Sequence, residues 1–197
     1  MSKILMLGGT AILGSGNERV CYIHPDNPKL CVKVYHTQDE IFKHTKVMRQ
    51  QNEMEFFYFR SLSLRKVPFL YLPRCYGWVE TDLGRGLLFD RIVNDDGSPS
   101  QSITELMVQG KISKSEVVEI LNNIGDYLNQ YKVNICDVNP DHILMQNVNG
   151  ELIPKIIDGV GSRYNNWKLY IISYCPYFSK KKIKHQWDKM KSMVLGA

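Results

Sequence analysis

The chain has 197 residues, enough for one large domain or two small lobes with a packed core. Its 44% hydrophobic and 23% charged composition excludes a disordered or fibrous chain, and a net charge of +5 permits phosphate-rich partners without demanding them. No window approaches eighteen consecutive apolar residues, so no membrane-spanning helix is predicted, and the apolar run Ile4 to Leu7 is too short for a signal-peptide core.

The cysteines Cys21, Cys31, Cys75, Cys136 and Cys175 form an odd set with no C-x-x-C pair. That pattern fits a reducing compartment better than a disulfide framework or a zinc site, and a cytoplasmic location is the expectation. His24, His36, His44 and His185 have no metal-ligand spacing and suit turn or surface positions.

In chain order, Lys3 to Gly14 first suggests the strand and glycine turn of a dinucleotide site, with Gly8, Gly9 and Gly14 near the pyrophosphate. Tyr164 and Lys168 even provide a Tyr-x-x-x-Lys pair, as in short-chain dehydrogenases. The context is wrong. A helix should follow Gly14, but Ser15 to His24 runs through another glycine into apolar/polar alternation. Leu13 to Tyr22 instead predicts strand, glycine turn, strand, with Val20 and Tyr22 on one face. In Gly14-Ser15-Gly16 the glycines let backbone N–H groups approach an anion with no Cβ in the way.

His24 to Pro28 is a turn, and Leu30 to Tyr35 a third strand with Lys33 in its middle. A lysine inside an apolar strand needs a partner or a route to solvent, because burying it unpaired is costly. A helical region follows, from the capping-box pattern Thr37 to Glu40 to about Ser61, with or without a break. It carries Glu53 and Glu55, which are two apart and cannot share a face, and Phe56, Phe57 and Phe59, read as core. Leu72 to Glu80 and Gly86 to Val93 predict an antiparallel pair. Turn formers then cluster in Val93 to Ser100, suggesting a flexible connection between two lobes. Ser102 to Met107 predicts a short helix. A second capping box, Ser113 to Glu116, opens a longer one with Val117, Ile120, Leu121, Ile124, Leu128 and Tyr131 on one stripe.

Behind that helix, Asn134 to Met145 presents Asp137 in a short polar loop, and Lys155 to Gly159 ends an apolar run on Asp158. A loop aspartate and a strand-end aspartate suit a site for a metal-bound phosphate, although Asp-Val-Asn-Pro-Asp also suits an ordinary Asx/Pro turn.

Taken together, the glycine hairpin, strand lysine, helix glutamate, connection, Asp loop and Ile-Ile-Asp-Gly resemble the protein-kinase fold. More closely they resemble the YrbL family of bacterial kinase-like proteins, named for regulation by the PhoP response regulator. The resemblance is carried by Leu13 to Gly16, Cys21-Tyr22, His24-Pro25, Val32-Lys33-Val34, Pro73 to Gly77, Val79 to Gly84, Asp96 to Ser100, Asp137 to Pro140, Ile143-Leu144 and Ile157 to Gly159. It covers roughly residues 10–165.

The resemblance implies an α+β, two-lobed kinase-like fold. Residues 1–92 would form a β-rich lobe with a mostly antiparallel sheet and a helix, 93–101 a hinge, and 102–197 a small, mainly helical lobe. It implies ATP with Mg²⁺, or Mn²⁺, bound between the lobes. Gly14, Ser15 and Gly16 would cover the phosphates, and Lys33 would touch the α/β-phosphates and pair with Glu53, with Glu55 as second choice. Main-chain groups from Asp90 to Ile92 would line the adenine pocket. Asp137 would be the catalytic-loop aspartate with Asn139 its neighbour, and Asp158 the metal ligand with His142 beside it.

Four departures accompany the resemblance. Ile135-Cys136 stand where a kinase has His-Arg, and His142 where it has a metal-binding asparagine. Imidazole is a poor match for Mg²⁺ but suits Mn²⁺ or Zn²⁺. No phenylalanine follows Asp158, and the 38 residues left after Gly159 (197 − 159) are too few for a full activation segment and helical lobe. Two readings follow: a phosphotransferase acting on an unidentified acceptor, or a pseudokinase serving as a regulatory or scaffold module in an envelope-stress or PhoP-linked response. The basic tail, Ser179 to Lys191, has Ile183, Trp187, Met190 and Val194 at helical spacing. It predicts a helix packed on the lower lobe, with contact to an anionic membrane surface as the alternative; nucleic acid is not expected as a partner.

Overall fold

In the computed structural model the described residues are 4–37, 50–137, 139–162 and 180–196, with side chains of the last helix described from 184 onward. The predicted capping box at Thr37 to Glu40, the Tyr164/Lys168 pair and Val138 therefore fall wholly or partly outside them.

Alternation of apolar and polar residues produces β1 (Ile12–Ser15), β2 (Arg19–Ile23), β3 (Leu30–Tyr35), β4 (Cys75–Thr81) and β5 (Gly84–Asp90). They form one antiparallel sheet in the order β1-β2-β3-β5-β4. Val32 and Val34 point to one face, where Leu5 and Leu7 of the N-terminal segment cover them. Asp82 fixes that segment by accepting N–H bonds from Leu7 (2.6 Å) and Gly8 (3.0 Å). The early glycines thus belong to a strap across a sheet, and the antiparallel ladder agrees with the rejection of a dinucleotide fold.

Helix α1 (Gln51–Leu64) covers the other face. Tyr58, Phe59 and Leu62 are buried at helical spacing, and Phe59 meets Phe69 and Phe89 ring to ring. Phe56 and Phe57 are only half-buried against the same core.

The turn-rich stretch after β5 is tied to the lower lobe. Val93 bridges Pro99, Asn94 N–H donates to the Ser98 carbonyl (2.9 Å), and Asp95 N–H to that of Asn147 (3.1 Å). Next come β6 (Gln101–Ser102), α2 (Ile103–Val108) and α3 (Lys114–Tyr131); both helices start in complete capping boxes, from Ser102 and Ser113. A 3-10 turn (Pro140–His142) leads into β7 (Ile143–Val148) and β8 (Glu151–Ile156), which join β6 in a three-stranded sheet.

The last helix, α4 (Lys180–Leu195), packs on α3 with Trp187, Met190 and Val194 buried. The Trp187 indole donates to the Leu121 carbonyl (2.8 Å). A Cβ on Gly125 would lie 2.6 Å from that ring nitrogen, so only glycine admits the tryptophan. Trp187, Met190 and Val194 of the basic tail's apolar stripe are thus used inside the fold, while the Ile183 side chain lies outside the described residues. Among the described residues no helix is long and apolar enough to cross a membrane.

Candidate functional site

A cleft of about 910 Å³ opens between the two sheets, within the size range of small-molecule sites. Gly14, Ser15 and Gly16 line its upper rim, Asp90 and Ile92 its back, and Lys33, Asp137, His142 and Asp158 converge on it from four separate segments.

The β2/β3 register builds the upper wall. Val20 pairs with Val34 and Cys21 with Lys33, which turns Lys33, Cys21 and Arg19 toward the cleft and Val32 and Val34 toward the strap. Lys33 Nζ lies 2.9 Å from Glu55 Oε1, 3.4 Å from the Ile157 carbonyl and 4.6 Å from the centre of the Phe89 ring. Burial works to lower its pKa, but the charges of Glu55 and Asp158 outweigh burial and raise it.

The helix partner is Glu55, and the expectation of Glu53 is corrected. Positions two apart on a helix lie about 200° apart. Glu55 shares the buried stripe of Tyr58, Phe59 and Leu62, whereas Glu53 faces outward and accepts a hydrogen bond from the Tyr35 hydroxyl. Aromatics follow both glutamates at helical spacing, so the sequence alone left either open.

A residue the sequence reading missed completes the wall. Arg19 on β2 is largely buried. Its guanidinium donates to Glu55 Oε2 (2.5 Å) and Asn52 Oδ1 (2.8 Å) and stands 3.6 Å from Asp158 Oδ1. Burial opposes its charge, and Glu55 and Asp158 more than compensate, raising its pKa. The alternation that set Val20 and Tyr22 on one face already put Arg19 on the other; that was the available signal.

The lower wall is zipped to the loop that carries Asp158. Asn134 accepts nothing on its buried Oδ1 among the described residues, but its amide donates to the Gly161 carbonyl and its N–H to the Tyr58 hydroxyl (2.7 Å). Ile135 bridges Val160, and Cys136 N–H donates to the Gly159 carbonyl (2.7 Å). Gly159 has φ +77, and a Cβ there would lie 2.4 Å from the Asp137 carbonyl. Glycine after Asp158 is therefore required by close approach to the Asp137 backbone.

Asp158 accepts the Gly159 N–H (2.7 Å) and stays half exposed to the cleft. Burial pushes its pKa up, but Lys33, Arg19, the Gly159 N–H and His142 together hold it below the ordinary carboxylate value. His142 also lines the cleft, with a buried Nδ1 that has no partner among the described residues.

Several predicted site residues have structural engagements. Asn139 is engaged locally: its Oδ1 accepts the Asp141 N–H (3.0 Å) at the start of the 3-10 turn, its Nδ2 lies 3.5 Å from His142 Nε2, and it is not among the residues lining the cleft. Gly16 N–H closes its own turn on the Arg19 carbonyl (2.9 Å), so that donor is already engaged. The Asp90 carboxylate accepts from Arg74 N–H and the Tyr76 hydroxyl, both at 2.8 Å. The N–H groups of Asp90 and Arg91 go to the carbonyls of Arg74 and Lys29, while that of Ile92 is unclaimed among the described residues.

A divalent cation is tested by these donors. Among the described residues no group of three or more His, Cys, Asp or Glu side chains gathers into a metal cage. One half-exposed carboxylate on a cleft fits Mg²⁺ that brings phosphate and water ligands of its own, which is how that ion is usually held.

Comparison with known proteins gives the following. The sequence pattern of the family described as PhoP regulatory network protein YrbL matches residues 5–194. The YrbL proteins of Escherichia coli (strain K12) and Shigella flexneri are each 30% identical over 162 residues, covering 80% of this chain and 74% of the relative. Among solved structures, a mutant of the Mycobacterium tuberculosis PknI kinase domain superposes with a TM-score of 0.48 at 18% identity, covering 78% of this chain. The chain spans 60% of the length of that kinase chain.

Proposed function

This chain belongs to the YrbL family of PhoP regulatory network proteins, and from that premise we propose that it binds ATP with a divalent cation in the cleft between its kinase-like lobes. The observation that carries the reading is the convergence of Lys33, paired to Glu55, with Asp158 and Asp137 on one cleft. A strand lysine held by a helix carboxylate can meet phosphate oxygens without losing its charge. Ile92, at the back of the cleft with an N–H unclaimed among the described residues, would hydrogen-bond the adenine edge. Asp158, with His142 beside it, would hold the cation. When bound, the cation neutralises and orients the phosphate oxygens. Asp137 would orient an acceptor hydroxyl and take its proton.

A second reading is favoured by one specific observation. Position 142 is an imidazole with a buried Nδ1, where a phosphotransferase of this plan uses an amide oxygen on the metal. It makes the protein a nucleotide-binding pseudokinase that acts as a regulatory module. A thermal-shift screen of nucleotides against Mg²⁺ and Mn²⁺ tests the binding common to both. ATP with metal is expected to raise Tm, and Lys33→Met and Asp158→Ala to abolish the rise; no rise with any pair sinks the ATP site. Transfer of labelled phosphate to the protein or an acceptor, lost in Asp137→Asn, separates the first reading from the second.

A further inference from the structure

Arg19 is the group in the cleft that the proposed ATP site leaves unexplained. Its guanidinium cannot swing away freely: it is largely buried and bonded to Glu55 (2.5 Å) and Asn52 (2.8 Å), each on α1. From that fixed position it stands 3.6 Å from Asp158 Oδ1. A dication seated on Asp158 alone would lie beside an immobile positive charge in a low-dielectric wall, with Lys33 also acting on the same carboxylate. The donors that could offset this repulsion are few, because no three ligating side chains gather among the described residues. A polyphosphate changes the balance. It brings several negative oxygens, which complete the cation's coordination and meet the charges of Lys33 and Arg19.

We propose that Arg19 is a resident counter-ion that competes with a divalent cation for Asp158, so that metal enters this cleft only as a metal–nucleotide complex. The inference rests on the nucleotide-binding reading for its second half and on the ion-pair geometry alone for its first. Arg19 thereby becomes a positioning residue. It orients Asp158 and Glu55 from the strand after the glycine turn, and it sets when the metal can bind.

The test uses Mn²⁺ alone, with no nucleotide, titrated against the whole chain and read by the paramagnetic signal of the free ion. The unmodified chain is expected to bind Mn²⁺ weakly, and Arg19→Met to bind it at least about tenfold more tightly. The double variant Arg19→Met with Asp158→Asn should return to the weak level, and Arg19→Lys, which keeps the charge, should stay close to the parent. Should Arg19→Met fail to fold by circular dichroism, Arg19→Gln carries the same expectation, since its amide can still donate to Glu55. Equal Mn²⁺ affinity in the parent and the neutral variants overturns the proposal, and so does tight binding that survives loss of the Asp158 carboxylate. The ATP thermal shift is a separate measurement. A chain that ignores ATP yet gains Mn²⁺ through Asp158 in Arg19→Met would refute the nucleotide reading and keep the counter-ion role. A chain that binds ATP with metal but shows no Arg19 effect would do the reverse.

Discussion

The two walls of the cleft differ in how closely their chemistry follows the kinase plan that the sequence resembles. The upper wall has a strand lysine, a helix carboxylate and an added arginine, joined by bonds of 2.5–2.9 Å in a buried array. The lower wall keeps both aspartates but replaces His-Arg with Ile135-Cys136 and the expected asparagine with His142. Ile135 is fully buried against the strand-end loop, so it serves packing where a polar pair would orient the catalytic loop. The difference separates two tasks. On the proposed function, holding phosphate needs fixed positive charge, which the upper wall supplies through Lys33 and Arg19, while transferring it would need a metal and a proton acceptor in register.

The largest effect should come from breaking the upper array. Glu55→Ala leaves two buried cations without their shared carboxylate and is expected to cost about 3–5 kcal/mol in chemical denaturation. Glu53→Ala removes only an exposed contact to Tyr35 and should cost no more than about 1 kcal/mol. Equal costs would undo the assignment of Glu55 as the partner of Lys33.

Next is the joint between the walls. Gly159→Ala drives a Cβ into the Asp137 carbonyl at a positive φ, and a loss of about 1–3 kcal/mol is expected, with a weaker ATP–metal thermal shift. A fully tolerated alanine would show that the two carboxylate segments are not held together as described.

His142→Asn sharpens the contrast directly. Restoring an amide oxygen should tighten the Mg²⁺ dependence of nucleotide binding by about tenfold, or about 1.4 kcal/mol. An unchanged Mg²⁺ titration would mean that position 142 does not set the lower wall apart.

The smallest effect is in the acid limb of stability. Asp158 has its pKa lowered from 3.8 in the fold, so its contribution is complete above that value and is lost as pH falls through the lowered one. Asp158→Asn should therefore lower stability by a small, constant amount at neutral pH and flatten the part of the pH–stability curve below about pH 4, where the two chains converge. An identical acid limb in both chains would mean that Lys33 and Arg19 do not act on this carboxylate.

Much of this was legible along the chain because it depends on local periodicity. Alternation gave β2 and β3, the stripe from Val117 to Leu128 gave α3, and Ser102 and Ser113 marked helix starts that both proved to be capping boxes. The strand lysine announced a partner because a buried ammonium is costly alone. What escaped were choices made across space. The turn formers after β5 suggested a flexible connection, but hydrogen bonds to Asn147, more than fifty residues away, hold them in place.

By itself the sequence determined the order of elements, the pair of aspartates, the strand lysine and the departure at His142, because each is written in residue type and spacing. Only the tertiary structure decided that Glu55 is the partner and that Arg19 joins it beside Asp158. Those choices depend on which face of α1 meets the sheet and on the register of β2 against β3. Burial across elements sets both, and no single stretch of the chain carries either.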